Sequence, residues 1–540
     1  MAFAITQACC KDASCLSVCP VNCIHPTPGE PDFGTTDLLH VDPRACIDCG
    51  ACADACPVGA ITHVSRLAPE QAVYADINAD YYADRPVDPA WDAPRFPPAG
   101  LSGVRGVRVA VVGTGPAACY AVQSLLRTAD VRVTMVERLS RPGGLARFGV
   151  APDHLATRRI VEHFAPVFTH PRVTLRLGTE VGRDVSAAEL ARDHDAVLWA
   201  VGADGDRQLG VPGEQLPGSL SARTLVGWYT GHPGVPADAV DLAGVARVVL
   251  VGNGNVAVDV ARILTADPEA LAGTDIAPHA LAALRRHRVR EVVLVARRGP
   301  EHAAFTRSEA LALTRVPGVD VVVDDTAGVG STLDALPATA SASAVRGARR
   351  QSVDWTAPPA PGTRVVLAFG RTPTAVTAGT DGRVASVELA TGETVRAQLV
   401  VTATGYRGTA LDGVPFDAST ATVRNDGGRV LDAAGAVVPG QYVVGWARRG
   451  TGGGIGDNRA DAEEVVRALL TDVAAGATGA TAASGAKCGL LVAIRGGMTT
   501  RSPHLAVLGG GSARQRTATR STTKTSAAPG LMTPPAPRSP

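Results

Sequence analysis

Long apolar runs, net charge and cysteine are all scarce in most of this 540-residue chain. No stretch approaches the ~20 consecutive apolar residues that a membrane-spanning helix needs, and no signal peptide precedes the first cysteine. The 52 basic and 51 acidic residues leave a formal net charge of +1, which gives no general attraction to nucleic acid or to acidic lipid. We therefore expect a cytoplasmic protein that binds neither nucleic acid nor membranes.

Cysteine is concentrated near one end. Nine of the 11 cysteines lie within the first 56 residues. The run Cys46-x2-Cys49-x2-Cys52-x3-Cys56-Pro57 has the spacing of bacterial iron–sulfur ligands. Shifted back by 37 positions, this pattern falls on Cys9, Asp12, Cys15, Cys19 and Pro20. The duplication predicts two iron–sulfur clusters in a reducing compartment. Zinc sites share the two-residue spacings, but they lack the duplication and the x3-Cys-Pro ending.

The spacing of the two cysteine runs also predicts which cysteines hold each cluster. The fourth cysteine of each run ligates the other cluster, so one cluster is predicted to be held by Cys46, Cys49, Cys52 and Cys19. The other is predicted to be held by Cys9, Cys15 and Cys56. Asp12 stands where the second copy has a cysteine, so this cluster has three obvious thiolates. A three-iron cluster needs no more, whereas a four-iron cluster would take Asp12, a water or Cys10 as well.

Composition also predicts a linker and a tail. Residues 85–104 contain five prolines and show neither helical nor strand periodicity, which predicts a semi-rigid linker after a domain at 1–84. Residues 473–540 contain no acidic residue, eight basic ones and many small residues, and we predict that they are disordered. They would act as a basic interaction tail or reflect an altered reading frame at the end of the gene.

After the linker, short apolar strands alternate with helices. A strand at Val107–Val112 leads into the turn Gly113-Thr-Gly115-Pro-Ala-Ala118, a helix over 116–127 comes next, and a second strand over 131–136 ends at Glu137. This order predicts a dinucleotide-binding βαβ unit. Gly113 permits the tight turn, Gly115 lets a pyrophosphate approach the backbone at the helix N-terminus, and Glu137 takes the ribose hydroxyls.

A second unit of the same kind lies further along the chain. The strand at Arg247–Val251 leads into Gly252-Asn-Gly254-Asn-Val-Ala257 and a helix over 257–264. The next strand, Glu291–Ala296, is followed by Arg297 and Arg298 in place of an acid. An arginine pair can hold a 2′-phosphate through charge-assisted hydrogen bonds, so NADP(H) is favoured. The alternative is that the two arginines form an ordinary solvated turn.

Two such units in one chain are the layout of a flavin reductase, with FAD in one and NADPH in the other. Residues 107 to about 470 resemble the adrenodoxin reductase family of ferredoxin–NADP reductases. The resemblance is carried by GTGPAACYAVQSLL (113–126), GLARFGVAPDH (144–154), SARTLVGWYTG (221–231), GNGNVAVDVARIL (252–264), ARRGPEHAAFTRSE (296–309), TATGY (402–406) and GWARRGTGGGIGDNRADAEEVV (445–466). With its cysteines, the whole chain resembles the actinobacterial fused ferredoxin/ferredoxin–NADP reductases, whose N-terminal part is similar to seven-iron ferredoxins.

The resemblance implies an enzyme that transfers electrons between NADPH, FAD and iron–sulfur clusters, and on to one-electron protein acceptors such as ferredoxins or cytochromes. Its flavin-site residues would be Gly113, Gly115, Ala117, Glu137, Leu145, Val181, Trp446, Gly453, Gly454 and Ile455. Its NADP-site residues would be Asn253, Gly254, Asn255, Val256, Ala257, Arg297, Arg298 and Glu309, the last lying beside the two arginines. His154 and Asp259 match catalytic positions that handle hydride or protons near the flavin. Alternatively, His154 only caps local structure, and Asp259 is favoured by the helix dipole.

Two other functions share parts of this pattern. A flavin disulfide reductase needs a redox cysteine pair near the flavin, but Cys119 is the only cysteine between residues 57 and 487. An electron-input subunit similar to the small subunit of glutamate synthase also joins iron–sulfur segments to paired nucleotide domains. The TGGGIG and FGVAPDH segments fit the reductase family better.

The predicted fold is α/β, with two doubly wound dinucleotide-binding domains after a small α+β bacterial-type ferredoxin domain. The FAD domain is predicted at 105–210 and 400–472, with the NADP domain inserted at 211–399.

Overall fold

The computed structural model describes residues 2–85, 104–127, 130–326 and 328–477. Most of the predicted linker and nearly all of the predicted tail lie outside these ranges. Every described residue belongs to one compact unit. No helix among the described residues is long and apolar enough to cross a membrane.

The strands of the N-terminal domain recur along the chain at the same 37-residue interval as its two cysteine runs. Phe3–Ile5 pairs antiparallel with Ile61–His63, and Ile24–His25 pairs antiparallel with His40–Val41. A shift of 37 positions carries Phe3–Ile5 onto the region of His40–Val41, and Ile24–His25 onto the start of Ile61–His63. Each half therefore completes the sheet of the other, as the crossed cysteine pattern requires.

A buried amide joins the two halves of this small domain. The side chain of Asn78, on the helix Val73–Tyr81, accepts hydrogen bonds from the backbone N–H groups of Ile5 (3.1 Å) and Val41 (2.9 Å). It also donates to the carbonyl oxygen of Ile5 at 2.9 Å. Because the amide is buried and fully used, it ties both strand pairs to one helix.

The first large sheet has seven strands around the strand that begins the first nucleotide-binding unit. Its five adjacent parallel strands include a mostly buried central group of three, as expected for a doubly wound sheet, whereas the strands on either side are more exposed. The antiparallel hairpin at one edge completes it. In spatial order the strands are Asn425–Asp426, Arg429–Leu431, Val437–Val443, Ala196–Trp199, Val107–Val112, Val131–Glu137 and Val173–Leu177.

Two helices cover one face of this sheet. Pro116–Leu126 packs against Asp457–Ala474, the last described helix. Their contact is rich in small residues such as Ala118, Ala121 and Ala462, each fully buried. The small side chains let the helix backbones approach closely, which brings the C-terminal helix beside the first turn.

The second large sheet is parallel throughout. Its strands, in spatial order, are Ser219–Ser221, Leu399–Thr402, Arg247–Val251, Glu291–Ala296, Thr363–Phe369, Val319–Asp324 and Arg349–Gln351. A three-stranded antiparallel sheet adjoins it, formed by Pro373–Ala378, Val384–Leu389 and Thr394–Arg396. The chain returns to the first sheet after Thr402, through Tyr406–Arg407, which pairs with Gly205–Asp206.

The remaining elements are short. Phe416–Asp417 and Thr422–Val423 form a separate pair of strands. The other α-helices are Ala51–Ala55, Gly144–Phe148, Leu155–Arg158, Ile160–Phe168, Ala187–Asp193, Ala222–Thr230, Asn255–Thr265, Pro268–Leu271, Pro278–Leu284, Arg307–Thr314, Val329–Ala335 and Trp446–Arg449. Six 3-10 turns complete the described chain: Leu16–Val18, Pro31–Gly34, Val64–Arg66, Pro69–Gln71, Pro300–His302 and Ser341–Val345.

Candidate functional site

The cysteines gather around two small cavities, in the crossed arrangement that the spacing predicts. The first cavity, called here the four-cysteine site, is lined by Cys19 together with Cys46, Cys49 and Cys52. Cys23 also lines it, with its sulfur 3.5 Å from that of Cys19. Four thiols from two different runs on one cavity are the donor set that a four-iron cluster takes, so these residues fit such a group.

The second cavity, called here the three-cysteine site, is lined by Cys9, Cys15 and Cys56. Cys10 and Asp12 also line it. The carboxylate of Asp12 is already engaged: Oδ1 accepts from the Ser14 amide at 3.0 Å and Oδ2 from the Ser14 hydroxyl at 2.6 Å. Oδ2 also lies 3.2 Å from the guanidinium of Arg459. The three thiols fit an iron–sulfur cluster, and Asp12 makes its bonds elsewhere.

The thiols differ in acidity because their surroundings differ. Burial raises the pKa of Cys9 to about 12 and that of Cys52 to about 12. The hydrogen bond from Cys23 lowers the pKa of Cys19 to about 6 and that of Cys46 to about 6. Burial and the contact with Cys23 thus act in opposite directions on these four thiols.

A cleft of about 510 Å³ opens at the carboxyl ends of the strands in the first sheet. Parallel sheets bind ligands at this edge. Ten residues that the sequence predicts for the flavin and NADP sites line the cleft: Gly113, Gly115, Ala117, Glu137, Leu145, Val181, Val256, Trp446, Gly454 and Ile455. Gly453, also predicted, adjoins this set in the chain.

The first turn leaves room for a phosphate. Gly113 has φ +106°, and a Cβ there would lie 2.4 Å from the carbonyl oxygen of Ala200, so only glycine fits. A Cβ on Gly115 would meet nothing within 4 Å. Gly115 precedes the helix Pro116–Leu126, whose N-terminal amides face the cleft and suit a pyrophosphate.

The acid at the end of the second strand is held in place. Glu137 is 7% exposed. One of its carboxylate oxygens accepts from the amide of Thr114 at 3.1 Å and from its hydroxyl at 2.5 Å. The other accepts from the Leu139 amide at 2.9 Å. The carboxylate thus links the glycine turn to the cleft wall, where an adenosine ribose would lie.

The opposite wall is formed by the C-terminal glycine loop. Trp446 donates its ring N–H to the carbonyl oxygen of Gly452 at 3.0 Å, and its ring lies 5.4 Å from that of Tyr406. The Gly454 amide donates to Asp457 at 2.6 Å. These contacts shape a flat aromatic and backbone surface that suits a flavin ring.

The second turn repeats the geometry of the first. Gly252 has φ +126°, a Cβ there would lie 2.4 Å from the carbonyl oxygen of Ala403, and a Cβ on Gly254 would meet nothing within 4 Å. Asn255 and Ala257 lie in the following helix, and Asn253 lies between the two glycines. The Asn255 side chain accepts from the Thr306 amide at 2.7 Å. The backbone here fits a second pyrophosphate.

Arg297 and Arg298 come directly after the strand Glu291–Ala296 and are exposed. Across the described parts of the chain, neither guanidinium has a hydrogen-bond or ion-pair partner. Two free arginines beside a pyrophosphate turn form a donor set that fits a 2′-phosphate.

The predicted residues His154, Asp259 and Glu309 meet around Arg262, a residue that the sequence reasoning missed. The Arg262 guanidinium donates to Asp153 at 2.6 Å, to Asp259 at 2.7 Å, to His154 Nε2 at 2.7 Å and to Glu309 at 3.1 Å. Because arginine only donates, His154 Nε2 accepts this bond and carries no proton. The carboxylate of Glu309 is engaged here and, within the described ranges, not by Arg297 or Arg298.

Burial and Arg262 together set the acidity of this cluster. Burial would raise the pKa of Asp153, but the bonds to Arg262 hold it below its usual range. Burial, with Asp259 nearby, raises the pKa of Glu309. His154, Asp259 and Glu309 do not line the large cleft. They lie on the side of the second turn, next to the helix Asn255–Thr265.

The matches to known proteins agree with this geometry. Residues 39–62 match the model of the 4Fe-4S binding domain, and residues 107–299 match that of the pyridine nucleotide-disulphide oxidoreductases. The chain is 44% identical over 498 residues to a probable ferredoxin/ferredoxin–NADP reductase of Mycobacterium tuberculosis, covering 87% of this chain and 84% of that protein.

Two further relatives match the flavoprotein part. The human mitochondrial NADPH:adrenodoxin oxidoreductase is 37% identical over 432 residues, covering 72% of this chain and 85% of that protein. The structure of Mycobacterium tuberculosis FprA in complex with NADPH has 38% identity and a TM-score of 0.62, covering 69% of this chain and 86% of that one. The predicted fold class is confirmed, and so is the resemblance. The chain therefore belongs to the family of fused ferredoxin/ferredoxin–NADP reductases.

Proposed function

We propose that this chain is a ferredoxin–NADP(+) reductase that couples NADPH to one-electron iron–sulfur chemistry. Each NADPH oxidised to NADP+ releases one proton and two electrons, and it reduces two one-electron acceptors. One short turn, residues 454–459, carries the proposal, because it contacts both the dinucleotide cleft and the loop of the three-cysteine site. The names of the relatives favour this function over an electron-input subunit similar to the small subunit of glutamate synthase.

The domains divide as the sheets do. We assign residues 1–84 to the ferredoxin domain, 85–104 to the linker, 105–210 and 403–472 to the FAD domain, and 211–402 to the NADP domain, which moves the boundary predicted at 399/400 by three residues. The strand Leu399–Thr402 hydrogen-bonds within the second sheet, so the return to the FAD domain comes after it.

The nucleotide sites use the two glycine turns. FAD, when bound, connects two-electron hydride chemistry to one-electron transfer. Gly113, Gly115 and the helix N-terminus would hold its pyrophosphate, Glu137 its ribose, and Trp446 with residues 453–455 would border its ring. Gly254 and its neighbours would hold the NADPH pyrophosphate, while Arg297 and Arg298 would hold the 2′-phosphate.

His154 and Asp259 remain our candidates for hydride or proton handling near the flavin. His154 Nε2 accepts from Arg262 at 2.7 Å and lies 3.9 Å from Asp259. A proton arriving at Nε2 would replace the Arg262 bond, and both Asp259 and Glu309 are close enough to stabilise it.

The second cluster is the finer part of the proposal. We assign Cys9, Cys15 and Cys56 to a three-iron cluster, because Ser14 and Arg459 occupy the Asp12 carboxylate. The four-cysteine site would take a four-iron cluster. External acceptors would be one-electron proteins such as ferredoxins or cytochromes.

Serine variants test the function and the cluster types together. Cys49→Ser alters the four-cysteine site, and Cys15→Ser alters the three-cysteine site, whereas neither touches a nucleotide turn. Both should keep NADPH–ferricyanide activity, which needs only FAD, and each should lose a different low-temperature EPR signal. Abolished ferricyanide reduction with FAD fully bound would refute the order NADPH, FAD, iron–sulfur.

A matched pair addresses the three-iron assignment. Oxidised wild-type protein should show a three-iron EPR signal, and Asp12→Ala should keep it, because Asp12 is not an iron ligand in this assignment. If Cys10→Ser converts a four-iron protein into a three-iron one, Cys10 is the fourth ligand and the assignment fails.

A further inference from the structure

The two cysteine sites differ in their surroundings. Loop 8–14, which carries part of the three-cysteine site, packs against the FAD-binding half of the chain. Cys10, Val58 and Ala60 are buried in the same apolar core as the helices Pro116–Leu126 and Asp457–Ala474. Cys9 and Cys56 are also packed against this core. The three-cysteine site is therefore part of the interdomain contact.

Hydrogen bonds fix this loop on the C-terminal glycine loop. The Gly456 amide donates to the Cys10 carbonyl oxygen at 2.8 Å. Arg459 donates to the Ser14 hydroxyl at 2.7 Å and to the Asp12 carbonyl oxygen at 3.0 Å. The Lys11 ammonium lies 3.4 Å from Asp457 and is buried. A Cβ on Gly456 would lie 1.8 Å from the Lys11 carbonyl oxygen, so backbone packs directly on backbone.

The same short turn borders the flavin cleft. Gly454, Ile455 and Asn458 line the cleft, whereas Gly456 and Arg459 contact loop 8–14. Asp457 accepts from the Gly454 amide at 2.6 Å and pairs with Lys11. Residues 454–459 thus contact the cleft on one side and the three-cysteine site on the other.

Within the described ranges, no cysteine of the four-cysteine site belongs to the apolar core that contains the helices Pro116–Leu126 and Asp457–Ala474. Cys19, Cys46 and Cys52 pack instead in the core of the ferredoxin domain, which touches the nucleotide-binding half at Leu311. Cys49 is exposed, and its neighbour Ile47 is 46% exposed. Among the described residues, 46–50 make no hydrogen bond or ion pair to the nucleotide-binding half; Asp48 pairs with His63 of the same domain.

We propose that the three-cysteine site is the entry point for electrons from the flavin site, that the four-cysteine site is the exit to an external acceptor, and that Arg459 is the positioning residue for the entry site. The inference rests on the proposed function. Each NADPH supplies two electrons and releases one proton, and the electrons pass singly through entry and exit sites to two acceptors. The direct, packed connection through residues 454–459 favours entry at the three-cysteine site, because electron transfer slows steeply with separation.

Rapid freeze-quench EPR of the full holoprotein after mixing with NADPH tests the order. In the wild type the signal of the three-cysteine site should change before that of the four-cysteine site. Arg459→Gln should slow the change at both sites by about tenfold or more, while flavin reduction keeps its rate. Arg459→Lys should recover most of the loss. Arg467→Gln, an exposed arginine on the same helix, should match the wild type. An earlier change at the four-cysteine site would overturn the proposal.

Hydrogen exchange gives a readout that is independent of turnover. Arg459→Gln should increase amide exchange in residues 8–14 severalfold and leave residues 46–50 unchanged. Wild-type exchange in the variant would overturn the positioning role. At the exit, Ile47→Asp should raise KM for a ferredoxin acceptor without slowing reduction of either site by NADPH, and an unchanged KM would exclude that surface. Flavin that stays oxidised after NADPH is added would instead refute the proposed function. Amide hydrogen exchange would still test whether Arg459 holds residues 8–14 in place.

Discussion

The two dinucleotide-binding units share the geometry of their glycine turn and differ at the end of their second strand. Each turn contains a glycine with positive φ, Gly113 in the first and Gly252 in the second. A Cβ atom added there would lie 2.4 Å from the carbonyl oxygen of Ala200 or Ala403, respectively. At the end of its second strand the first unit has Glu137, buried and bonded to its own turn. The second unit has two exposed arginines there. In our proposal the turn holds a pyrophosphate in both units, and the residues at the end of the second strand select the nucleotide.

The largest expected effect comes from breaking either turn. Gly113→Ala places a methyl group 2.4 Å from backbone oxygen at φ +106°, so the turn must distort. The variant should retain little or no FAD, as measured by its visible absorbance after purification. Gly252→Ala should keep its FAD but lose NADPH-dependent reduction. Loss of FAD from both variants alike would contradict the separate roles of the two turns.

The glycines that open the helices provide the control. Gly115→Ala and Gly254→Ala add a methyl group where nothing lies within 4 Å, so the fold should tolerate them. We expect near-wild-type thermal unfolding with weakened binding of FAD and NADPH, respectively. A large drop in melting temperature would show that these positions serve packing.

The helices after the two turns differ as well. A shift of 139 positions places Tyr120 of the first helix on Asp259 of the second, and Gln123 on Arg262. Arg262→Gln would leave three buried or half-buried carboxylates without their cation, at a cost of about 3–5 kcal/mol in unfolding free energy. Urea unfolding checks this value, and a loss under 1 kcal/mol would contradict the role of Arg262.

The pH dependence of that loss has a definite sign. In the wild type, Arg262 lowers the pKa of Asp153, so this contribution to stability is present above the ordinary pKa of an aspartate and is lost as pH falls. Without Arg262, burial, the largest influence, is opposed only by His154 and a backbone hydrogen bond, so the pKa of Asp153 rises and its ionised form becomes destabilising. The stability deficit of Arg262→Gln should therefore grow from pH 5 to pH 8. A deficit that shrinks over this range would contradict the charge argument.

A smaller effect is expected from replacing Arg297 and Arg298, the residues proposed to select NADPH. Arg297→Ala with Arg298→Ala removes charge-assisted bonds worth about 1.5–3 kcal/mol each, so KM for NADPH should rise by about tenfold or more while KM for NADH changes little. Arg286→Ala with Arg288→Ala, two exposed arginines that precede the same strand, is the matched control. Equal losses for both nucleotides would sink the 2′-phosphate assignment.

The smallest effect is expected at Tyr120, the counterpart of Asp259. Its hydroxyl is buried and has no hydrogen-bond partner in the described part of the chain. Tyr120→Phe should therefore cause no loss of unfolding free energy, because no hydrogen bond is broken. A marked loss of stability in the holoprotein alone would show that the hydroxyl contacts a bound group.

Local pattern predicts the parts of this molecule that local forces determine. The strands Val107–Val112 and Glu291–Ala296 match their predicted bounds, because continuous apolar runs end at glycine or charge. The helix predicted over 257–264 begins two residues earlier, at Asn255, and ends one residue later, at Thr265, because sequence pattern does not define helix ends to the residue. Cysteine spacing likewise predicts the gathering of Cys19 with Cys46, Cys49 and Cys52 on one cavity.

Contacts between distant segments are beyond such reasoning. Arg262 meets Asp153, which is 109 residues away, and Arg459 meets Asp12, which is 447 residues away. Arginines in helices ordinarily face solvent, so nothing in the periodicity marks either one. These two residues acquire their roles only when the two sheets and the ferredoxin domain come together.

We propose that electrons pass from NADPH, bound at the unit with Arg297 and Arg298, to FAD, bound at the unit with Glu137, and then to the two cysteine sites. Anaerobic stopped-flow mixing of the holoprotein with one equivalent of NADPH or of NADH tests it most directly. With NADPH, flavin absorbance should fall first and the iron–sulfur absorbance should fall after it; with NADH, the first phase should be much slower. Iron–sulfur reduction that precedes flavin reduction, or equal rates with the two nucleotides, would contradict the account.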